Sequence, residues 1–175
     1  TVPSGEPVHK VSIIPRGIAA LGYTMQLPVD EKFLSTEAEL KDQIAILLGG
    51  RVAEEIVFGD ISSGAANDLE RATEIAHSMI TRLGMSKKLG PLTYGKHQEL
   101  QYLGIQGQEE RNFSEATAQT IDEETRQIIE EQHQEVIAIL TEKRKVLEAL
   151  AARLEEKEVI SGEEVKEVIE TAEIQ

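Results

Sequence analysis

Apolar residues in this chain recur at steps of three and four over most of its length, and that spacing commits it to helices. Between Ser35 and Phe58 the series is Leu40, Ile44, Leu47, Leu48, Val52, Ile56 and Val57, one face of a helix with 3.6 residues per turn. Ser35-Thr36-Glu37 supplies the start signal and Gly59-Asp60 the stop. In a second helix Leu69, Ala72, Ala76, Met79, Ile80 and Leu83 share a face. Asn67 and Glu70 read as its capping pair, and Gly84 as its end. Ser114 opens a long helix containing Ile121, Ile128, Ile129, Val136, Ile137 and Leu140. Val146, Leu147, Leu150 and Leu154 either continue that helix or fold back on it. Ser161-Gly162-Glu163-Glu164 then caps a last helix with Val165, Val168 and Ile169.

Strand signals are confined to the beginning. His9-Lys10-Val11-Ser12-Ile13-Ile14 alternates and is β-branched, and Pro15-Arg16-Gly17 stops it. Gly22-Tyr23-Thr24-Met25-Gln26-Leu27 follows and is closed by Pro28. Two such strands make a small antiparallel ribbon, which is marginal unless it lies on something. The expected fold class is mainly α: a helical domain with a small antiparallel β ribbon near the N-terminus and a C-terminal helical lobe.

Charge divides the chain. Residues 1–90 carry 9 basic and 12 acidic side chains, and residues 91–175 carry 9 and 20. The expected organisation is an N-terminal lobe over 1–90, a loop over 91–113 rich in Gly and Gln, and an acidic helical lobe over 114–175. The 175 residues suffice for one compact core. Zero cysteines exclude disulfides, thiolate nucleophiles and Cys-based zinc sites. A net charge of −14 argues against a nucleic-acid or anionic-membrane surface. No uncharged apolar run approaches the roughly 18 residues of a membrane span. The first residue is Thr1 rather than Met, so the chain is expected to be a fragment or a processed product.

No complete catalytic set stands in the sequence. His9, His77, His97 and His133 include no i,i+4 pair, so there is no H-E-x-x-H helix, and neither a G-x-x-x-x-G-K-[ST] loop nor a G-x-S-x-G elbow is present. Three places are still odd for a purely structural helical protein. Gly49-Gly50 interrupts a helix interior, where each glycine costs about 1 kcal/mol relative to Ala; close packing by another element is the plain explanation. Glu54, just beyond, either faces solvent or faces inward, and inward it needs a cation or a donor. Asp68 follows the small-residue run Ser62-Ser63-Gly64-Ala65-Ala66. It is either an acid set against the positive end of a helix, worth about 0.3–1 kcal/mol, or one carboxylate of a tetrahedral zinc site. The alternating segment Gly22–Leu27 is an edge strand that could pair with an extended peptide, although most short edges are merely edges.

These features fall in a recognisable order. Pro7-Val8-His9-Lys10-Val11-Ser12-Ile13-Ile14-Pro15-Arg16-Gly17 and Leu21-Gly22-Tyr23-Thr24-Met25-Gln26-Leu27-Pro28 come first. Leu47-Leu48-Gly49-Gly50-Arg51-Val52-Ala53-Glu54-Glu55 and Ser63-Gly64-Ala65-Ala66-Asn67-Asp68-Leu69-Glu70-Arg71-Ala72-Thr73 follow. Gly84-Met85-Ser86, Lys88-Leu89-Gly90-Pro91 and Ile121-Asp122-Glu123-Glu124 complete the series. Together they resemble the peptidase domain of the FtsH family, and the resemblance covers nearly the whole chain.

The resemblance implies a membrane-anchored, ATP-dependent zinc metalloendopeptidase working as a hexamer in quality control of unfolded, short-lived or membrane proteins. It implies zinc as the cofactor, with ATP and Mg bound by an AAA+ module outside these residues. It places the third zinc ligand on Asp68, a supporting role beside the metal on Glu54, and substrate-strand pairing on Tyr23, Thr24, Met25 and Gln26. Ser62-Ser63 stands where the family commonly has threonines. The partners implied are the other subunits of a homo- or hetero-hexameric ring and unfolded or membrane-protein substrates, with no nucleic acid. The site implied is the cytoplasmic, stromal or matrix face of a membrane, with the membrane reached only through segments absent from these residues and this piece itself soluble.

One departure is serious. The family's H-E-x-x-H helix precedes the Pro7-Val8-His9-Lys10 block, and the motif is absent from these residues. His9 matches the strand histidine and is no substitute. The 175 residues alone are therefore expected to hold zinc weakly and to leave peptides uncleaved. The alternative, from a different class, is a non-catalytic protease-like scaffold in a mixed ring.

Overall fold

A computed structural model describes residues 2–15, 22–26, 34–95 and 112–174. Among the described residues nine elements run in chain order: strands β1 (Val8–Ser12) and β2 (Tyr23–Gln26), helix α1 (Glu37–Phe58), a 3-10 turn (Ser63–Ala65), helices α2 (Ala66–Thr81), α3 (Glu115–Glu142) and α4 (Arg144–Lys157), strand β3 (Val159–Ser161) and helix α5 (Gly162–Ile174). The domain is mainly α, as expected. No helix among the described residues is long and apolar enough to cross a membrane. The stop at Arg16-Gly17, Leu27, Pro28 and residues 96–111 of the expected loop lie outside the described residues.

The chain folds as two compact units, one over residues 35–136 and the other from residues 1–34 together with 137–175. This is not the division at residue 90 that the charge distribution suggests. The reason is a strand that periodicity does not reveal. β1 is the centre of a three-stranded antiparallel sheet ordered β2-β1-β3, with Val11 opposite Thr24 on one side and Ile160 on the other. The N-terminal ribbon thus takes its third strand from the far end of the sequence. Ile160 is buried in this unit. Glu158 ends α4 in the left-handed region at φ 59°, and its carbonyl accepts from the Ile13 N–H at 2.9 Å. Ser161 and Glu164 cap α5 reciprocally, the Ser161 N–H donating to Glu164 Oε2 at 3.0 Å and the Glu164 N–H to Ser161 Oγ at 3.2 Å.

In the other unit α1 packs on α2. Ile44, Ala45, Leu48 and Val52 of α1 are buried, as are Ala72, Ala76, Met79 and Ile80 of α2 and Ile121 and Val136 of α3. Thr36 and Glu39 form the capping box of α1, and Gly59 closes it at φ 67° with its N–H on Glu55 O. Three sequence expectations are corrected. Gly49 and Gly50 are not closely packed: a Cβ on either would meet nothing within 4 Å among the described residues. Gly50 is exposed, and Gly49 is half-buried at the edge of the stripe of Ala45, Leu48 and Val52. Asn67 does not cap α2, because the preceding 3-10 turn carries the chain into the helix and Ala66 is already helical. Leu83 is exposed rather than on the buried face, because α2 stops at Thr81 and Gly84 turns the chain away at φ 62°. Lys143 separates α3 from α4, yet its N–H donates to Ile139 O at 2.9 Å and its carbonyl accepts the Leu147 N–H at 3.1 Å, so helical bonding runs across the joint.

Candidate functional site

The turn joining α1 to α2 lies between the two acids that the sequence singles out, Glu54 of α1 and Asp68 of α2. After Gly59 the chain is held by short-range bonds to side chains. Asp60 Oδ1 accepts the Ile61 N–H at 2.8 Å. Glu54, in the last turns of α1, accepts the Ser62 N–H on Oε2 and the Ser62 Oγ–H on Oε1, both at 2.9 Å. Ser62 Oγ in turn accepts the Gly64 N–H at 3.2 Å. Glu54 is half-buried and faces this turn, so the donor that an inward carboxylate needs is a serine rather than a cation. The backbone and hydroxyl bonds from Ser62 hold the Glu54 carboxyl below the usual carboxylate range, outweighing the opposing effect of desolvation.

Asp68 is the third residue of α2, in its first turn. It is half-buried, and its carboxylate has no hydrogen-bond or ion-pair partner among the described residues. The helix N-cap, Ala65, makes no side-chain cap bond. Glu54 and Asp68 are thus joined through one turn, with Ser62 between them. Sequence reasoning passes over Ser62, because nothing in periodicity pairs residues eight apart across a left-handed glycine.

In the other unit, β2 is an outer strand of the sheet. Thr24, Met25 and Gln26 are exposed and Tyr23 is half-buried. Gln26 donates through Nε2 to Glu6 O at 3.2 Å. Gly22 leads into the strand past the Ser12 carbonyl, where a Cβ would come within 2.6 Å of the oxygen.

The histidines do not gather. His9 is exposed on β1, His77 lies on α2, and His133 of α3 pairs with Glu55 of α1 at 3.0 Å from Nε2 to Oε2; His97 is outside the described residues. No group of three His, Cys, Asp or Glu suited to a metal ion occurs among the described residues.

Residues 1–168 match the family model of peptidase family M41. The chain belongs to this family. M41 relatives align along almost all of it. An ATP-dependent zinc metalloprotease FtsH of Methylococcus capsulatus is 69% identical over 171 residues, covering 98% of this chain and 27% of the relative. An ATP-dependent zinc metalloprotease FtsH 4 of Synechocystis sp. is 53% identical, covering 96% and 27%. An ATP-dependent zinc metalloprotease FtsH of Thermotoga maritima is 50% identical, covering 96% and 28%. The chain therefore spans about a quarter of the length of the curated relatives it matches. Zinc, named in those relatives, takes N, S or O ligands in a tetrahedral arrangement. The unengaged Asp68 carboxylate fits one such position. The described residues of this M41 chain do not by themselves complete the set.

Proposed function

We propose that this chain is the part of an M41 peptidase domain that contributes one zinc ligand, Asp68, to an ATP-dependent zinc metalloendopeptidase. The observation that carries the reading is a carboxylate without a partner among the described residues, at the start of α2, within the block Ser63 to Thr73 that matches the family. The chemistry that zinc supplies when bound is Lewis acidity, which lowers the pKa of a coordinated water and polarises a peptide carbonyl. The residues of this chain bind and orient. Asp68 offers one oxygen donor, and Glu54 holds the turn that leads to it. The outer strand Tyr23–Gln26 offers main-chain groups with which an extended substrate would pair as an added strand.

The remaining ligands and the general base come from an H-E-x-x-H helix outside these residues, and ATP is bound by a separate module. In this reading the complete protein is membrane-anchored, hexameric, and degrades unfolded, short-lived or membrane proteins. The 175 residues alone bind zinc weakly and cleave nothing.

The test is Asp68→Asn in the complete protein, assayed on an unfolded substrate. Even an outer partner of a metal ligand is worth 10–100-fold, so loss of the ligand itself is expected to cost about 100-fold or more in cleavage, with zinc content falling in step. Unchanged zinc content and cleavage in Asp68→Asn would remove Asp68 from the site. A complete wild-type protein that cleaves no substrate would point instead to a scaffold subunit.

A further inference from the structure

The polar bonds of the α1–α2 turn converge on Ser62. Its N–H and its Oγ–H occupy both oxygens of Glu54 at 2.9 Å, and its Oγ takes the Gly64 N–H at 3.2 Å. One residue thus ties the last turns of α1 to the 3-10 turn Ser63–Ala65. The Ala66 N–H continues the path by donating to Ser63 O. Helix α2 has no side-chain cap of its own at Ala65, so local capping does not fix how the helix enters. That information comes from upstream, through Ser62. Asp68 stands six residues further on, within the first turn of the helix whose entry is so fixed.

We propose that Ser62 is a positioning residue, setting the direction of the Asp68 carboxylate by clamping the entry of α2 to Glu54. The proposal rests on the reading of Asp68 as a metal ligand and adds the device that aims it. A metal site tolerates misplacement of its ligands by only about 0.5 Å, and in the small-residue turn Ser62-Ser63-Gly64-Ala65-Ala66 only Ala65 is buried, one methyl group to hold that tolerance. A two-oxygen grip on one serine supplies what packing does not. A threonine keeps the same N–H and hydroxyl and would serve; an alanine keeps only the N–H.

The test uses the complete, zinc-loaded protein and reads the rate at which zinc is lost to excess chelator, alongside the thermal unfolding of the zinc-free form. Ser62→Ala is expected to lose zinc roughly 10–100-fold faster than wild type, and Ser62→Thr to return to the wild-type rate. The zinc-free protein is expected to unfold only slightly earlier in Ser62→Ala, by no more than the loss of one serine cap, and as wild type does in Ser62→Thr. Zinc loss from Ser62→Ala at the wild-type rate would overturn the proposal. So would faster loss accompanied by equal destabilisation of the zinc-free form, which is the mark of a plain turn stabiliser. Asp68→Asn separates the two readings. If it keeps zinc as wild type does, the ligand reading has failed; if it loses zinc while Ser62→Ala does not, only the positioning role has failed.

Discussion

The α1–α2 turn and the three-stranded sheet both fix a short stretch of chain, and they do so by opposite means. The turn is held by partners at most eight residues apart: Gly59 on Glu55, Ile61 on Asp60, Ser62 on Glu54, Gly64 on Ser62. The sheet is held by β1 lying between β2 and a β3 drawn from the other end of the sequence, Val11 opposite Ile160. Local bonds close small loops at small entropic cost, whereas a pairing at that separation must close a very long one. The turn can therefore lose one bond and stay closed through the others, at the cost of a small shift in its path. The sheet depends on a few places where backbone meets backbone, and losing one of them loosens everything joined there.

Gly162 is such a place, and substituting it has the largest expected effect. A Cβ built there would lie 1.9 Å from Val8 O and 2.9 Å from the Val8 carbonyl carbon. Backbone atoms, unlike the end of a flexible side chain, cannot swing aside. Gly162→Ala must push the start of α5 away from β1, at a cost of about 3 kcal/mol, the upper part of the usual range for overpacking. Hydrogen exchange is the sensitive readout: amides of Val11 and Ile160 should lose protection while those of Ile44 and Leu48 in α1 keep theirs. Full protection at Val11 in the variant would mean that the approach of α5 to β1 is not what holds the third strand.

The same contrast explains what the sequence discloses. Long helices are legible because burial repeats along them, as at Ile44, Leu48 and Val52. The start signal around Thr36 and the glycine stop at Gly59 are legible because their chemistry is local. β3 is not, because Val159–Ser161 is too short for a period of two to register and its partner is remote. With β3 hidden, the N-terminal ribbon and the C-terminal helices read as separate lobes. The roles of Asp68 and Glu54 come from ordered blocks of residues that resemble a family, not from periodicity, which leaves both acids open to ordinary explanations. Asn67 misleads because a polar residue three before a glutamate looks like a cap even when a 3-10 turn has already delivered the chain into the helix. Ser62 is visible as part of a small-residue run, but its pairing with Glu54 is not, since those bonds exist only once Gly59 has reversed the chain.

Acid sharpens the comparison on a smaller scale, because each unit has one glutamate gripping a serine N–H. Glu164 is held down to about 2 by Lys157 first and the Ser161 N–H second, and Glu54 is lowered by Ser62. Both folded pKa values lie below the unfolded value of about 4.5. The unfolded chain therefore binds more protons in that window, and each carboxylate's contribution is complete above it and is lost as pH falls through the folded pKa. The α5 cap is expected to persist down to about pH 2, with the Glu54 grip beginning to fail once pH drops below the ordinary range. Carboxyl carbon shifts followed from pH 6 to pH 2 would check the order, and added salt should raise the Glu164 midpoint by screening Lys157. A Glu164 midpoint at the ordinary value would mean that the lysine and the cap do not hold it in solution.

The smallest effect, and the one of opposite sign, belongs to the glycine that meets nothing. Gly50 lies inside α1 and is exposed, and a methyl group added there would meet no atom within 4 Å among the described residues. Its backbone is helical, so alanine fits without strain and removes freedom that only the unfolded chain enjoys. Gly50→Ala is expected to stabilise the 175-residue chain by about 0.4–1 kcal/mol, read as a higher urea midpoint with an unchanged slope. Gly162 and Gly50 then bracket the reasons for a glycine in this fold, one filled by a neighbouring carbonyl and the other open. If Gly50→Ala stabilises the chain alone but impairs the complete protease, the open face is occupied in the assembly and the sequence keeps its glycine for that contact. If it destabilises the chain alone, something within these residues already packs there, and the contrast between the two glycines collapses.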